Sequence, residues 1–191
     1  SPTKTYTEKD AFELPESNKL GIAAWSLRQL FTAAKLRFDT YNHTRTNSAY
    51  KDVHKITRSL LLLHPYSYTA WNLRKSSVLL ELENTNIDTN TKTTTATMPT
   101  NAMQHLLAEF SFIDLVFTTH PKISEAWEHR SWCLKQWKQT MQYTNSNVIT
   151  DMLQHELEIC ELVAERYPKN YFAWSHRQHV INISRSIQSS E

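Results

Sequence analysis

Glycine is almost absent from this chain: among 191 residues there is one, Gly21. Sheets and α/β units place glycine at turns, bulges and phosphate-cradling loops, where the backbone takes conformations that a Cβ disfavours. A single glycine therefore excludes Walker-type and dinucleotide-binding loops, which need several. With few β-branched runs as well, the chain is expected to be all-α, its helices joined by short turns marked by Pro, Asn and Ser. Cysteine is nearly as scarce. Cys133 and Cys160 match no metal-ligand spacing and no disulfide framework, so a reducing, cytoplasmic location is the expectation. No charge of one sign dominates either: 21 Lys and Arg stand against 19 Asp and Glu, a formal net charge of +2. That balance gives no basis for nucleic-acid binding, which needs a clustered basic face. Long apolar runs are missing too. The longest pure run, Leu60 to Leu63, falls far short of the ~18 residues a membrane span requires. The first residues, SPTKTYTEKD, lack the apolar core of a signal peptide. They also start without Met, which raises the expectation of a processed or excised chain.

What is present reads as an ordered chain, 40% hydrophobic and 11% aromatic. Its length suffices for one substantial core, since ~150 residues already bury roughly 70% of their unfolded surface. Residues 1–18 are polar and punctuated by proline, and read as a flexible lead-in. An α-α solenoid is expected over 19–188. Its helical patterns run from Leu20 to about Tyr41, from about Ser48 to Leu63 and from about Tyr68 to Leu82. They continue from Ala102 to about Thr118, Glu125 to Tyr143, Val148 to Arg166, and Tyr171 to Ser186. The first pattern runs through Ile22, Trp25, Leu30, Ala33, Ala34, Leu36 and Phe38. The Thr- and Asn-rich stretch at 84–101 cannot bury enough apolar surface to offset chain ordering, and reads as a mobile loop.

One pattern recurs. PYSYTAW (65–71), PKISEAW (121–127) and PKNYFAW (168–174) each precede an arginine by two intervening residues. P-x5-W-x2-R thus occurs three times, as Pro65–Trp71–Arg74, Pro121–Trp127–Arg130 and Pro168–Trp174–Arg177. The spacings between copies are 56 and 47 residues, and the Thr/Asn insertion accounts for the longer one. Self-similarity at this period means stacked helical hairpins, with repeats at about 48–82, 102–143 and 148–186. Each proline ends a first helix. Ser67 and Asn170 can cap the second, whereas Ile123 at the equivalent place cannot. The tryptophan can fill the gap between hairpins. The arginine on the same face can stack on a ring or satisfy orphan carbonyls at a neighbouring helix end. These nine residues read as structural.

PKNYFAWSHR (168–177), PKISEAWEHRSWCL (121–134), PYSYTAWNLR (65–74) and LGIAAWSLRQLF (20–31) resemble the repeats of protein prenyltransferase α-subunits. Those are the helical-hairpin crescents of farnesyl- and geranylgeranyltransferases. The resemblance covers roughly residues 20 to 185. It implies an α-α superhelix of the prenyltransferase α-subunit type. It also implies a heterodimer with a β-subunit that transfers a geranylgeranyl or farnesyl group to a protein cysteine. Zinc, lipid pocket and thiol substrate would belong to that β-subunit, with no cofactor in this chain, and the chain alone would be inactive. In the family, K-x-Y segments of successive repeats contact the isoprenoid diphosphate. Carried across, they place Lys122, Lys169 and Tyr171 as diphosphate contacts, with Lys122 supporting catalysis. An ammonium there would offset charge that grows on the leaving group as the allylic C–O bond breaks. The sequence departs from the family at Ile123 and Ser124, where Asn and Tyr are frequent. It departs again at Phe172, where farnesyltransferases place a histidine.

Nine histidines invite a metal reading. His176 and His179 are spaced i, i+3, and His155 and Glu156 precede Cys160, but neither H-E-x-x-H nor C-x-x-C occurs. His129 and His176 hold the same slot beside the repeat arginine, which points to packing or hydrogen bonding. The cysteines, on apolar helix faces, read as buried inert thiols. The alternative to a prenyltransferase subunit is a non-catalytic helical-repeat scaffold for protein interaction. The tetratricopeptide form of such a scaffold repeats every ~34 residues with a close-packed glycine, which these repeats lack.

Overall fold

The computed structural model describes residues 13–14, 19–20, 23–44, 50–88, 101–140 and 146–188. Gly21 and most of the expected lead-in and of the Thr/Asn-rich loop lie outside the described residues. Two short strands, β1 (Glu13–Leu14) and β2 (Lys19–Leu20), pair antiparallel, Glu13 opposite Leu20 and Leu14 opposite Lys19. At two residues each they leave the class all-α. The remaining elements are helices: α1 (Ala24–Thr44), α2 (Tyr50–Leu63), α3 (Tyr68–Asp88), α4 (Asn101–Thr119), α5 (Ser124–Thr140), α6 (Ser146–Arg166) and α7 (Tyr171–Gln188). They group into two compact units, residues 1–64 and 65–191.

In the first unit α1 packs against α2. Ser26, Ala34 and Phe38 are the buried residues of α1. They stand at multiples of four, on one side of a 3.6-residue helix. Leu36, 66% exposed, lies about 200° around the helix from Ala34, and Trp25 and Ala33 are also exposed. The inward stripe of α1 is therefore narrower than its apolar content suggests. Val53, Thr57, Leu60 and Leu61 are buried in α2. The Thr57 hydroxyl donates to the Val53 carbonyl at 2.7 Å, so a buried polar group is satisfied within its own helix. Phe31 meets His64 edge-on, with ring centroids 5.6 Å apart.

In the second unit α4 pairs with α5 and α6 with α7, and α3 packs on both α4 and α5. Since α5 also packs on α7, the second helices of the hairpins form one layer, α3–α5–α7. On α4, Leu106, Phe110, Ile113, Val116 and Phe117 are all buried. Helix α3 runs on to Asp88, six residues past Leu82 and into the Thr/Asn-rich stretch. No proline intervenes before Pro99 to stop it.

The three proline turns share one construction, and it explains why proline and tryptophan stand six apart. The residue before each proline closes the first helix: His64 N–H donates to Leu60, His120 to Val116 and Tyr167 to Val163, at 2.8, 2.8 and 2.9 Å. Proline has no N–H to lose at the next position. Its carbonyl is then taken by the tryptophan indole, with Nε1 of Trp71, Trp127 and Trp174 donating to Pro65, Pro121 and Pro168 at 2.8, 2.8 and 2.9 Å. The indole thus fills space and fastens the turn at once. Asn170 caps α7, its Oδ1 accepting from the N–H of Phe172 and Ala173 at 3.2 and 3.4 Å. Ser67 contributes its backbone instead, its carbonyl accepting from Trp71 N–H at 3.2 Å. Trp127 is 3% exposed and Trp174 51%. Trp127→Ala is therefore expected to cost about 3–5 kcal/mol of stability. Trp174→Ala should cost less than half as much, read from urea midpoints at constant slope.

Candidate functional site

Beneath the turns, each hairpin junction is built on a buried glutamate that the linear motif does not contain. Arg74 reaches Glu109 of α4 with two parallel bonds, Nε to Oε2 at 3.0 Å and Nη2 to Oε1 at 2.6 Å. His129 Nε2 meets the same carboxylate at 2.9 Å. One hairpin on, Arg130 grips Glu156 of α6 at 2.8 and 2.5 Å, and His176 Nε2 reaches it at 2.7 Å. Arg130 also gives Nη1 to Asp114 at 2.5 Å. Both arginines, both glutamates and both histidines are buried. The arginines stack as well, Arg74 4.1 Å above the Phe112 ring and Arg130 5.4 Å from Phe110. Stacking was one expectation for the guanidinium. The planar bidentate pairing of each guanidinium with a buried carboxylate is what the motif did not show.

The charges follow from this geometry. Burial alone would raise the Glu156 carboxyl, but Arg130 and His176 outweigh it and hold its pKa at about 2. Burial would lower Arg130, and Glu156 and Asp114 raise it instead. His129 goes the other way: burial pushes its pKa down, against the pull of Glu109. It is therefore neutral, with Nε2–H donating to the carboxylate and Nδ1 buried without a hydrogen-bond partner among the described residues. Burial raises both thiols, Cys160 to about 12 and Cys133 well above the usual range, which leaves them un-ionised.

Above this base lie the residues expected to meet a diphosphate. Asn170 Nδ2 donates to the Pro121 carbonyl at 2.8 Å, tying the turn between α6 and α7 onto the turn between α4 and α5. Lys122 and Lys169 consequently sit on adjoining turns, both exposed. The Lys122 ammonium lies 5.0 Å from the Tyr167 ring centroid and the Arg166 guanidinium 5.7 Å from it. Tyr171 is 75% exposed and meets Phe172 edge-on at 5.9 Å. Among the described residues no hydrogen bond or ion pair joins Lys122 to Lys169 or Tyr171. The motif had not pointed to Arg166 and Tyr167, although a ring-bearing residue precedes every repeat proline: His64, His120 and Tyr167. Beside them lies a cavity of about 470 Å³, lined by Asp114, Phe117, Pro121, Leu162, Val163 and Tyr167 among others. The arrangement can hold an anionic group over exposed ammonium and guanidinium groups. It contains no ionised thiol.

The segments that build this geometry match a known repeat. The protein prenyltransferase alpha subunit repeat matches the chain at residues 50–79, 106–137 and 153–184, each match enclosing one P-x5-W-x2-R. The chain belongs to the protein prenyltransferase α-subunit repeat family. Among individual proteins it is similar to protein prenyltransferase alpha subunit repeat-containing protein 1 of Homo sapiens, 29% identical over 91% of this chain and 42% of that protein. It is also similar to the protein of that name from Danio rerio, 27% identical over 86% of this chain and 36% of that one. For the 1-A form of Xenopus laevis the values are 28%, 91% and 39%. The chain thus spans about two-fifths of the length of these relatives. Among the described residues no group of three His, Cys, Asp or Glu is placed to hold a metal ion. No described helix is long and apolar enough to cross a membrane.

Removing one member of a buried charge pair leaves the other unsatisfied, so Glu156→Ala is expected to destabilise by about 3–5 kcal/mol. Acid should act on the same groups. Below the usual histidine value of 6.5 the unfolded chain protonates at residue 129 and the folded chain does not. The same holds for Glu156 between 4.5 and about 2. Both contributions are present above these ranges and lost as pH falls through them. Urea midpoints against pH should therefore begin to fall below 6.5 and fall more steeply below 4.5. His129→Gln flattens the first stage and Glu156→Gln the second.

Proposed function

We propose that this chain acts as the α-type component of a heterodimeric protein prenyltransferase, a cytoplasmic enzyme that transfers a geranylgeranyl or farnesyl group to a protein cysteine. The single observation that carries this reading is the pairing of Lys122 and Lys169 on two turns joined by the Asn170–Pro121 bond, within repeats of the prenyltransferase α-subunit family. A turn held from both sides positions its lysines at low entropic cost. Exposed ammonium groups at that edge are available to a diphosphate presented by a β-subunit. As the allylic C–O bond breaks, charge grows on the departing diphosphate, and Lys122 and Lys169 offset it. Tyr171 supplies a phenolic O–H to the same group. The β-subunit would supply zinc and the lipid pocket, and this chain the scaffold and the cations.

A non-catalytic scaffold is the second reading. It is favoured by Phe172, whose half-buried ring has no proton to give where farnesyltransferases place a histidine.

Co-expression with a prenyltransferase β-subunit, followed by transfer of labelled prenyl diphosphate to a cysteine-bearing protein, tests the first reading. Lys122→Ala is expected to lower turnover by up to about 10²-fold with assembly intact, and Lys122→Arg to retain more of it. Wild-type turnover in Lys122→Ala would remove the lysine from the reaction. A complex that forms without transferring the label would favour the scaffold.

A further inference from the structure

The lysine placed against a diphosphate is exposed, yet its ammonium has a partner. Lys122 Nζ lies over the Tyr167 ring, 5.0 Å from the centroid, within the ~6 Å at which a cation is drawn to an aromatic face. The same ring takes the Arg166 guanidinium at 5.7 Å. Among the described residues Lys122 makes no hydrogen bond or ion pair, so it meets an aromatic face and not a carboxylate. The half-buried ring is in turn fixed to the turn that carries the lysine. Tyr167 follows α6, its N–H donating to Val163 and its carbonyl accepting from Asn170 N–H, both at 2.9 Å. Asn170 Nδ2 then donates at 2.8 Å to the carbonyl of Pro121, the residue before Lys122, where Trp127 Nε1 donates as well. One buried asparagine thus ties ring and lysine together across two hairpins. The preceding pair of turns lacks each of these parts. There Tyr66 stands for Lys122, His120 for Tyr167 and Ile123, which has no side-chain donor, for Asn170.

We propose that Tyr167 is the positioning residue of Lys122: its ring gathers the ammonium where the two turns meet and presents it, already placed, to an anionic group. A lysine side chain carries much rotamer freedom, and ordering it at the moment of binding is costly. A ring that already limits where the ammonium lies removes part of that cost. An ammonium seated on a ring also keeps N–H donors to offer a ligand. Lys169, on the adjoining turn, meets no ring among the described residues, which makes Lys122 the better placed of the two. The proposal rests on the reading of Lys122 as a diphosphate contact, but the placement of its ammonium can be measured without any reaction.

Placement is read by NMR on the full chain grown with isotope-labelled lysine, the Lys122 signals being assigned by their loss in Lys122→Arg. The ε-methylene protons of Lys122 are expected upfield of those of Lys169, shifted by the ring. They should return to the ordinary position in Tyr167→Leu but not in Tyr167→Phe. The consequence for the reaction is read in the heterodimer with a β-subunit. Tyr167→Leu is expected to lower kcat about two- to fivefold with assembly intact, and Tyr167→Phe to keep it. In a Lys122→Ala background Tyr167→Leu should cost nothing further. Fluorinating the ring of Tyr167→Phe drains its face at constant shape, so kcat should fall with each fluorine even where Tyr167→Leu loses its fold. A Lys122 resonance unmoved by Tyr167→Leu, or a loss of turnover that adds in full to that of Lys122→Ala, would overturn the proposal. Wild-type turnover in Lys122→Ala, with a resonance that still follows Tyr167, removes the lysine from the reaction and upholds its placement by the ring.

Discussion

The second unit depends on a carboxylate placed where water cannot reach it. Glu109 and Glu156 each receive an arginine from the preceding hairpin and a histidine from their own. Neither glutamate could be buried alone, since an uncompensated carboxylate in an apolar interior is expensive. The three side chains come from three different helices, so the charge is satisfied only when two hairpins are stacked in register. Apolar stripes make the helices adhere, and many sliding arrangements would bury similar area. The bidentate arginine selects one.

The aromatic residues act within the frame those charges define. Each indole fastens its own turn through the proline carbonyl, and the two buried ones then meet the next histidine, Trp71 to His129 at 4.9 Å and Trp127 to His176 at 5.4 Å. Histidine beside the repeat arginine therefore has two neighbours to serve, a ring and a carboxylate. The first repeat shows the same logic by substitution. Twelve residues before Pro121 and Pro168 stand Glu109 and Glu156, but twelve before Pro65 stands Val53. In that repeat the histidine slot holds Leu73. An imidazole stands where a buried acid meets it.

The same frame separates the parts that hold from the parts that meet other molecules. Lysines at the turns are exposed, and Asn170 joins the two turns without using either lysine. The junctions beneath use neither lysine, so a scaffold of this kind can change its exposed turn residues with its junctions untouched. This is why membership of the repeat family and the chemistry at the edge are separate questions.

The helical class, the seven helices among the described residues and the proline turns were legible in the chain, because one glycine, 3.6-residue periodicity and a thrice-repeated motif are local signals. The buried arginine–glutamate pairs were not. The arginines stand in the motif, but their acids lie 35 and 26 residues away in sequence, and only folding brings them within hydrogen-bond reach. A constant spacing from glutamate to proline was the one signal available, and it is visible mainly in hindsight. Nor could three similar motifs reveal that Trp174 and Arg177 differ from their counterparts, since exposure depends on what stacks above a residue and not on its neighbours in the chain. By itself the sequence determined the repeating unit, through short-range sterics and hydrogen bonding. Tertiary structure alone decided which charges are buried and which turns adjoin, because those properties belong to pairs of hairpins.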